Sequence, residues 1–406
     1  MIHRAHLGES LQRPKQAVIL AGGRGTRLRP LTDTRPKPMV EFHGKPFLEY
    51  LVDMLREQGF ARVLLLLGYL PDVIQDYFGD GSRWGIQIDY SVSDADDLTV
   101  RRVQLVEERL DPCFLLMYCD NYWPMCMERM WERFTTANVP AMITVYSNKD
   151  KYSRDSVRVG ADGYVRVFDR SRTTPGLQGI EISYAILTRP VLALLPAQDA
   201  LFEEAVYPQL VRQRQLLAYV TDHRYYSVGS LERLPLTEAF LARRPTVMLD
   251  RDGVLNKKPP KAHYVRTWDA FEWLAGAKEA LRLLTAAGYR VLVVSNQAGI
   301  ARGAMTEAAL THMHERMQAE AVQAGGQIEA VYCCVHDWDA GCECRKPKPG
   351  MLFQAQRDFH LDLSRTLFIG DDERDAQAAA AAGCPSVLVS DEMPLLDVAR
   401  KLVSGV

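Results

Sequence analysis

The chain has 406 residues, 47% apolar and 25% charged, with 49 basic against 51 acidic side chains and a net charge of −2. That length suggests roughly two or three domains. The near balance of charge argues against a nucleic-acid coat or an acidic tail, and 27 Gly with 21 Pro is neither collagenous nor low-complexity. The aliphatic run Val63 to Leu67 is too short to span a bilayer, and Met1 to Gln16 lacks the apolar stretch of a signal peptide. The expectation is a cytoplasmic multidomain protein that binds neither membrane nor nucleic acid; its assembly, monomer or homo-oligomer, stays open.

In chain order, Gln16 to Ala21 reads as a buried strand running into the turn Gly22-Gly-Arg-Gly-Thr26. Phe47 to Gln58 reads as a helix, Arg62 to Gly68 as a strand, Pro71 to Phe78 as a helix and Ile86 to Ser91 as a strand. Phe114 to Tyr118 is a strand ending at Cys119-Asp120-Asn121. Leu231 to Arg244 reads as a helix stopped before Pro245, since a residue preceding proline is biased out of the helical region. That places a domain boundary near 244, with domains 1–244 and 245–406. In the second, strand Thr246 to Leu249 runs into Asp250-Arg-Asp-Gly253. Then follow helix Ala275 to Ala287, strand Arg290 to Ser295, helix Thr306 to Gly325, strand Ala330 to Cys334, helix Met351 to Phe359, and strand Thr366 to Gly370. Both halves read as α/β, with polar turns at the carboxyl ends of strands, where such sheets place ligands.

The first turn continues as Arg27-Leu28, Pro30-Leu-Thr and Arg35-Pro-Lys-Pro-Met39. Glycines let backbone approach a polyphosphate, and Arg27 and Lys37 bring charge to a pyrophosphate leaving group. It is neither a Rossmann fingerprint nor a P-loop. The whole string, with its Lys-Pro-Met, resembles the sugar-1-phosphate nucleotidyltransferases over about residues 14–240. The resemblance implies a three-layer Rossmann-like fold and Mg²⁺. It assigns Gly22, Gly23, Gly25, Thr26 and Arg27 to the triphosphate, Lys37 to phosphate and Asp120 to the metal. Two departures stand out. Asp97-Leu-Thr-Val-Arg-Arg102 replaces the family's Gly-rich segment, and Arg101 and Arg102 read as base contacts or solvated charge. Ser227 stands where the family has a second metal-binding Asp, with Asp222 an alternative acid. Asp169-Arg170 stands at the family's acidic–Lys pair.

In the second half, Asp250 can accept a phosphoryl group and Asp252, two residues on, can serve as acid and base. Ser295-Asn296 ends the next strand with a hydroxyl, Arg345-Lys346 brings a cation, and Asp371-Asp372 with Asp375 offers acids for Mg²⁺. The four elements in this order resemble the haloacid dehalogenase-like phosphatases over about residues 245–406. Carried over, Asp250 is the nucleophile that forms an aspartyl phosphate, Asp252 the general acid/base, and Ser295 and Lys346 the phosphoryl holders. Asp250, Asp252 by its carbonyl, and Asp371 hold Mg²⁺. The intervals Asp250 to Ser295 and Ser295 to Lys346 are too short for a cap domain, so this Rossmann-like domain is capless.

Eight Cys are too few for a disulfide scaffold. Cys113, Cys119, Cys126 and Cys384 read as buried small apolar side chains. Cys334, His336, Cys342 and Cys344 have the types and spacing of a closed, structural Cys₃His zinc site, with Cys333 an extra, core-facing thiol. Together with Ser295 to Gly303, this string is similar to the D-glycero-D-manno-heptose 1,7-bisphosphate 7-phosphatase branch. Histidinol-phosphate phosphatases share much of it. Asn296, Arg302 and Arg345 are expected to touch substrate, the two Arg at its distal phosphate.

Removal of the C7 phosphate leaves a heptose 1-phosphate, which a sugar-1-phosphate nucleotidyltransferase consumes. The natural partners within that family are relatives that activate D-glycero-α-D-manno-heptose 1-phosphate with GTP. The leading expectation is therefore a bifunctional enzyme of nucleotide-activated heptose synthesis for surface polysaccharide, taking heptose bisphosphate and a nucleoside triphosphate, GTP first. The alternatives are a first half that only binds a sugar nucleotide, and a histidinol-phosphate phosphatase.

Overall fold

In the computed structural model, residues 11–260 and 262–405 are described. Most of the stretch Met1 to Gln16 lies outside them. The chain divides into two compact units, one ending at Leu241 and the other beginning at Ala242.

The first unit is built on a seven-stranded sheet. Its strands are β1 (Gln16–Ala21), β2 (Arg62–Leu67), β3 (Gln87–Val92), β4 (Cys113–Tyr118), β5 (Ala141–Tyr146), β6 (Ile180–Thr188) and β7 (Leu216–Thr221), in the order β7-β5-β6-β4-β1-β2-β3. All neighbours are parallel except β6, which runs antiparallel to β4 and β5. The central strands are apolar throughout because both faces are covered. Ile19, Leu65 and Met117 pack under α1 (Phe47–Glu57), α2 (Pro71–Phe78), α4 (Met127–Thr135) and α6 (Leu234–Leu241). Val18, Leu66 and Leu116 pack on the other side against α3 (Thr99–Gln104) and α5 (Phe202–Arg212).

The second unit has a five-stranded, fully parallel sheet. Strands β8 (Thr246–Leu249), β9 (Arg290–Asn296), β10 (Ala330–Cys334), β11 (Thr366–Gly370) and β12 (Ser386–Leu388) lie in the order β10-β9-β8-β11-β12. Val247, Leu249 and Val293 face α7 (Ala277–Ala286), α8 (Glu307–Gln323) and α11 (Leu395–Ser404); Met248, Leu292 and Phe368 face α9 (Gly350–Phe359) and α10 (Glu373–Ala382). Among the described residues α7 is the only α-helix between Asp250 and Ser295, and α8 and β10 are the only α-helix and strand between Ser295 and Lys346; both units are three-layer α/β, and these intervals show no cap domain among those residues.

The expected helix from Leu231 to Arg244 is shorter. A single 3-10 turn, Leu231–Arg233, precedes α6, which stops at Leu241; Arg243 adopts φ 48. Among the scattered thiols Cys113, Cys119 and Cys384 are buried, but Cys126, just before α4, is only half-buried. No helix among the described residues is long and apolar enough to cross a membrane.

Helix α8 brings His314 beneath the turn after β8. There Arg251, fully buried, donates through Nη1 to His314 Nε2 at 3.3 Å. Arginine can only donate, so this ring carries its proton on Nδ1. Burial, and then the Arg251 charge, push His314 down to about 4, against a pull from Asp252.

Two stability predictions follow from these cores. Leu292→Ala, in the middle of β9, should lower unfolding free energy by about 2–5 kcal/mol, read from urea midpoints. The depressed His314 ring means that the unfolded chain binds more protons than the native one between about pH 6.5 and pH 4. Its stabilising contribution is complete above that window and is lost as pH falls through it, up to about 3 kcal/mol. His314→Gln cannot titrate, so the difference in stability between wild type and variant should shrink or reverse from pH 7.5 to pH 4.5. A constant difference would contradict the assignment.

Candidate active sites

In the second unit the ends of β8, β9 and β11 meet at one sheet edge, as parallel register requires, and open into a cleft of about 650 Å³. Asp250 follows β8, Ser295 and Asn296 end β9, and Asp371 follows β11; all line the cleft. Lys346 enters from the loop between β10 and α9, only 2% exposed. Its Nζ lies 3.0 Å from Asp250 Oδ1 and 2.7 Å from Asp375 Oδ1, and donates to Val294 O at 2.8 Å. Burial pushes Asp250 up to about 7, with Lys346 opposing and Asp375 and Asp252 assisting.

Asp252 sits in a ring of donors. Arg251, Asn256 and Gln297 all reach its carboxylate, and these bonds, with the Arg251 charge, outweigh burial to hold it below the usual carboxylate range. Gln297 Nε2 also donates to Ser295 Oγ at 2.9 Å, joining the hydroxyl to Asp252. Gly253 adopts φ 95, and a Cβ there would lie 2.0 Å from Asp371 Oδ2. The glycine of the Asp-x-Asp-Gly turn is thus needed both for its left-handed backbone and for room beside Asp371.

The acids divide their work. Asp250, Asp371 and Asp375 can bring ligand oxygens within 4.8 Å of one another, and Asp371 Oδ1 is buried without a hydrogen-bond partner. A hard divalent cation suits these oxygens. Asp372 instead N-caps α10, with Asp375 completing a capping box from N3. Lys258 pairs with Asp371 and Asp372, and Arg374 with Asp372. Asp375, whose duty spacing alone left unassigned, is therefore both a helix cap and the second carboxylate on Lys346.

The expected substrate residues part company. Arg345 lines the cleft with a buried Nη1 lacking a partner. Arg302 does not line it. Its Nε bonds Asp337 at 2.7 Å and its guanidinium lies 3.6 Å from the Trp338 ring centre, because the stacked, paired arrangement outcompetes an open cleft. Asn296 lines the cleft, but both ends of its amide bond the backbone of Lys346, so its contact is a brace.

Beside the cleft, Cys334, His336, Cys342 and Cys344 converge, with donor atoms all within 4.8 Å. Sulfur separations of 3.3 and 3.6 Å from Cys334 and the approach of His336 Nδ1 to Cys344 Sγ at 3.1 Å match the edges of a small tetrahedron. Cys333 points elsewhere, half-buried and 3.9 Å from His314.

In the first unit Lys37 Nζ and Asp120 Oδ2 form a half-buried pair at 2.6 Å. Burial opposes both charges, yet their attraction prevails: Lys37 is held above and Asp120 below its ordinary value. Gly25 adopts φ 63 and a Cβ would meet Lys37 Cβ at 3.0 Å, so the loop closes directly over the lysine. Thr26 and Arg27 begin a 3-10 turn, and Gly23 faces open space. Arg27, Asp120 and Ser227 line one cleft of about 400 Å³. Ser227 pairs with Asn121, the residue after Asp120, across a two-residue ladder. Asp222 does not replace the missing acid; it pairs with Lys149 at 2.8 Å and accepts from Ser147. Instead Glu181 and Glu203 line this cleft, and burial, reinforced by Glu203, pushes Glu181 up to about 8. Asp169 is used by its own loop, accepting from Ser171, Thr173 and Thr174, while Arg170 pairs with Glu203 and Glu204.

Arg101 is exposed, but Arg102 is 4% exposed. It donates to Leu67 O, Asp94 O and Ser93 Oγ at 2.6–2.7 Å. A Cβ on Gly22 would lie 2.2 Å from its Cζ. It is neither solvated charge nor an open contact, but a prop behind the glycine loop.

The Nucleotidyl transferase family matches residues 16–168, and the HAD-hydrolase-like family matches 343–394. The D-glycero-β-D-manno-heptose-1,7-bisphosphate 7-phosphatase of Pseudomonas aeruginosa is 39% identical over 162 residues, covering 40% of this chain and 90% of the relative. The Bordetella bronchiseptica protein of that name is 41% identical over 143 residues, 35% of this chain and 79% of the relative. A Bacillus anthracis structure solved as a candidate glucose-1-phosphate thymidylyltransferase matches with TM-score 0.50 at 18% identity, covering 56% of this chain and 95% of that one, which shows the fold. The chain therefore joins a Nucleotidyl transferase unit to a phosphatase unit, and through the latter it belongs to the family of heptose-1,7-bisphosphate 7-phosphatases.

Proposed function

We propose that this chain carries out two consecutive steps: removal of the C7 phosphate from a D-glycero-D-manno-heptose 1,7-bisphosphate, then nucleotidyl transfer to the resulting heptose 1-phosphate, with GTP as donor. The observation that carries the first step is the sheet edge where Lys346 bridges Asp250 and Asp375 beside Ser295 and Asp371. The heptose assignment is supported by the 39–41% identity of the phosphatase relatives. The need for a nucleoside triphosphate supports a cytoplasmic setting for both steps.

Asp250, desolvated and therefore more basic than a surface carboxylate, attacks phosphorus; the bond to O7 breaks, and Asp252, an ionised carboxylate that takes up the proton of the incoming phosphate monoanion, passes that proton to the departing oxygen. Water then attacks the aspartyl phosphate, and Asp252 takes the proton back. Ser295 and Lys346 hold the phosphoryl oxygens, and the unpartnered Nη1 of Arg345 is offered to the distal phosphate. Asp250, Asp371 and the Asp252 carbonyl would hold Mg²⁺, which would supply charge neutralisation for the phosphoryl group. In the first unit Gly22, Gly23, Gly25 and Thr26 cradle the triphosphate, and Arg27 and Lys37 balance its charge. Asp120 offers one carboxylate to Mg²⁺, which commonly completes its shell with substrate phosphates. Cys334, His336, Cys342 and Cys344 bind a structural Zn²⁺ that shapes the phosphatase loop.

Asp250→Asn should reduce phosphate release from heptose bisphosphate by more than about a thousandfold while leaving pyrophosphate release from heptose 1-phosphate intact. Preference for histidinol phosphate would overturn the sugar assignment, and running both anomers fixes which is used. Lys37→Met should lower kcat/KM for pyrophosphate release about 10²–10³-fold with phosphatase activity unchanged. Nucleotide binding with no pyrophosphate from any triphosphate would instead make the first unit a binding module. Metal analysis should find one zinc per chain, lost together with several degrees of Tm in Cys344→Ser.

A further inference from the structure

Asp252 is held by more than its own turn. Arg251 donates through Nε and Nη2 to Oδ1 at 3.1 and 2.9 Å and through Nη2 to Oδ2 at 3.0 Å. Asn256 adds a donor to Oδ1 at 2.9 Å, and Gln297 one to Oδ2 at 2.8 Å. Oδ1 thus takes three of the five contacts, and Oδ2 is the oxygen linked through Gln297 toward Ser295. Arg251 is itself fixed from behind: it is fully buried, and its Nη1 reaches His314 Nε2 at 3.3 Å and Met313 Sδ at 3.4 Å, both on α8. A guanidinium held on both edges and fully buried cannot rotate without breaking hydrogen bonds shielded from solvent. Its flat fork also fixes the plane of the carboxylate it grips.

We infer that Arg251, braced by the neutral ring of His314, is the positioning residue for Asp252, fixing its carboxyl so that Oδ2 faces the leaving oxygen. This rests on the reading of Asp252 as general acid. A misplaced acid matters only when the leaving group needs a proton. An alkoxide from a sugar does; p-nitrophenolate, already stable as an anion, does not. Since kcat/KM covers steps only through departure of the leaving group, the ratio of kcat/KM for the two substrates isolates the positioning effect from any loss of folded protein.

The test uses the full chain with Mg²⁺ and compares heptose bisphosphate with p-nitrophenyl phosphate. Arg251→Lys keeps the charge but loses the fork. It should lower kcat/KM for the sugar phosphate at least tenfold and for the aryl phosphate less than threefold. His314→Leu, which leaves Arg251 in place but unbraced, should shift the ratio in the same direction, and His314→Gln, which can still accept, should restore it. If Arg251→Lys fails to fold, the two His314 variants decide. Equal losses on both substrates, or none on either, would overturn the inference. Asp252→Asn separates the two claims. If it too shows no leaving-group dependence, the acid assignment itself is wrong; if it does and the Arg251 and His314 variants do not, only the positioning role fails.

Discussion

The phosphatase site depends on one buried ammonium. Lys346 Nζ stands within 3.0 Å of both Asp250 and Asp375 and donates to the Val294 carbonyl, while Asp371 lies near enough for all three acids to share a ligand. At an effective dielectric near 20, each such contact attracts by roughly 5 kcal/mol before desolvation is subtracted, and desolvation of buried ions is of similar size. The cluster is thus poorly explained as a source of stability. Even with Lys258 on Asp371 Oδ2, the three carboxylates outnumber the two ammoniums, and the partnerless Asp371 Oδ1 is the atom a divalent cation would take. The same arrangement that keeps Asp250 desolvated also supplies the positive charge that an incoming phosphoryl group needs.

The transferase site is built on a sparer version of that logic. Its ion pair, Lys37 with Asp120, is half-buried, and Ser227 stands where the family resemblance expects a second acid. Negative charge in this cleft comes instead from Glu181 and Glu203, on β6 and α5. Arg102 fills the space behind Gly22, where the family resemblance led us to expect a glycine-rich segment.

Much of this was legible in the sequence, for a physical reason. Asp250, Ser295, Asp120 and Asp371 each end an apolar run, and in a parallel sheet such ends share one edge. The Cys334–Cys344 ligands are local, so spacing alone brings them together. What spacing could not convey were contacts made across long sequence separations. Arg251 meets His314 on a distant helix, and Arg102 bends back to Leu67 and Gly22, so a pair of arginines on a short polar helix looked solvated. Asp375 was hidden because three residues after Asp372 is also the position of an ordinary helix cap. Arg302 looked like a phosphate ligand, but Asp337 and Trp338 hold it. In the fold, β6 was unforeseen: its antiparallel insertion between β4 and β5 has no local signature.

The central claim is that one chain performs two reactions in a fixed chemical order. It is tested most directly by following phosphorus resonances over time in a single mixture of the full chain, heptose 1,7-bisphosphate, GTP and Mg²⁺. Inorganic phosphate should appear first, then pyrophosphate and a sugar-nucleotide diphosphate in equal amounts, never exceeding the phosphate already released. Phosphate without any pyrophosphate, or pyrophosphate ahead of phosphate, would contradict it.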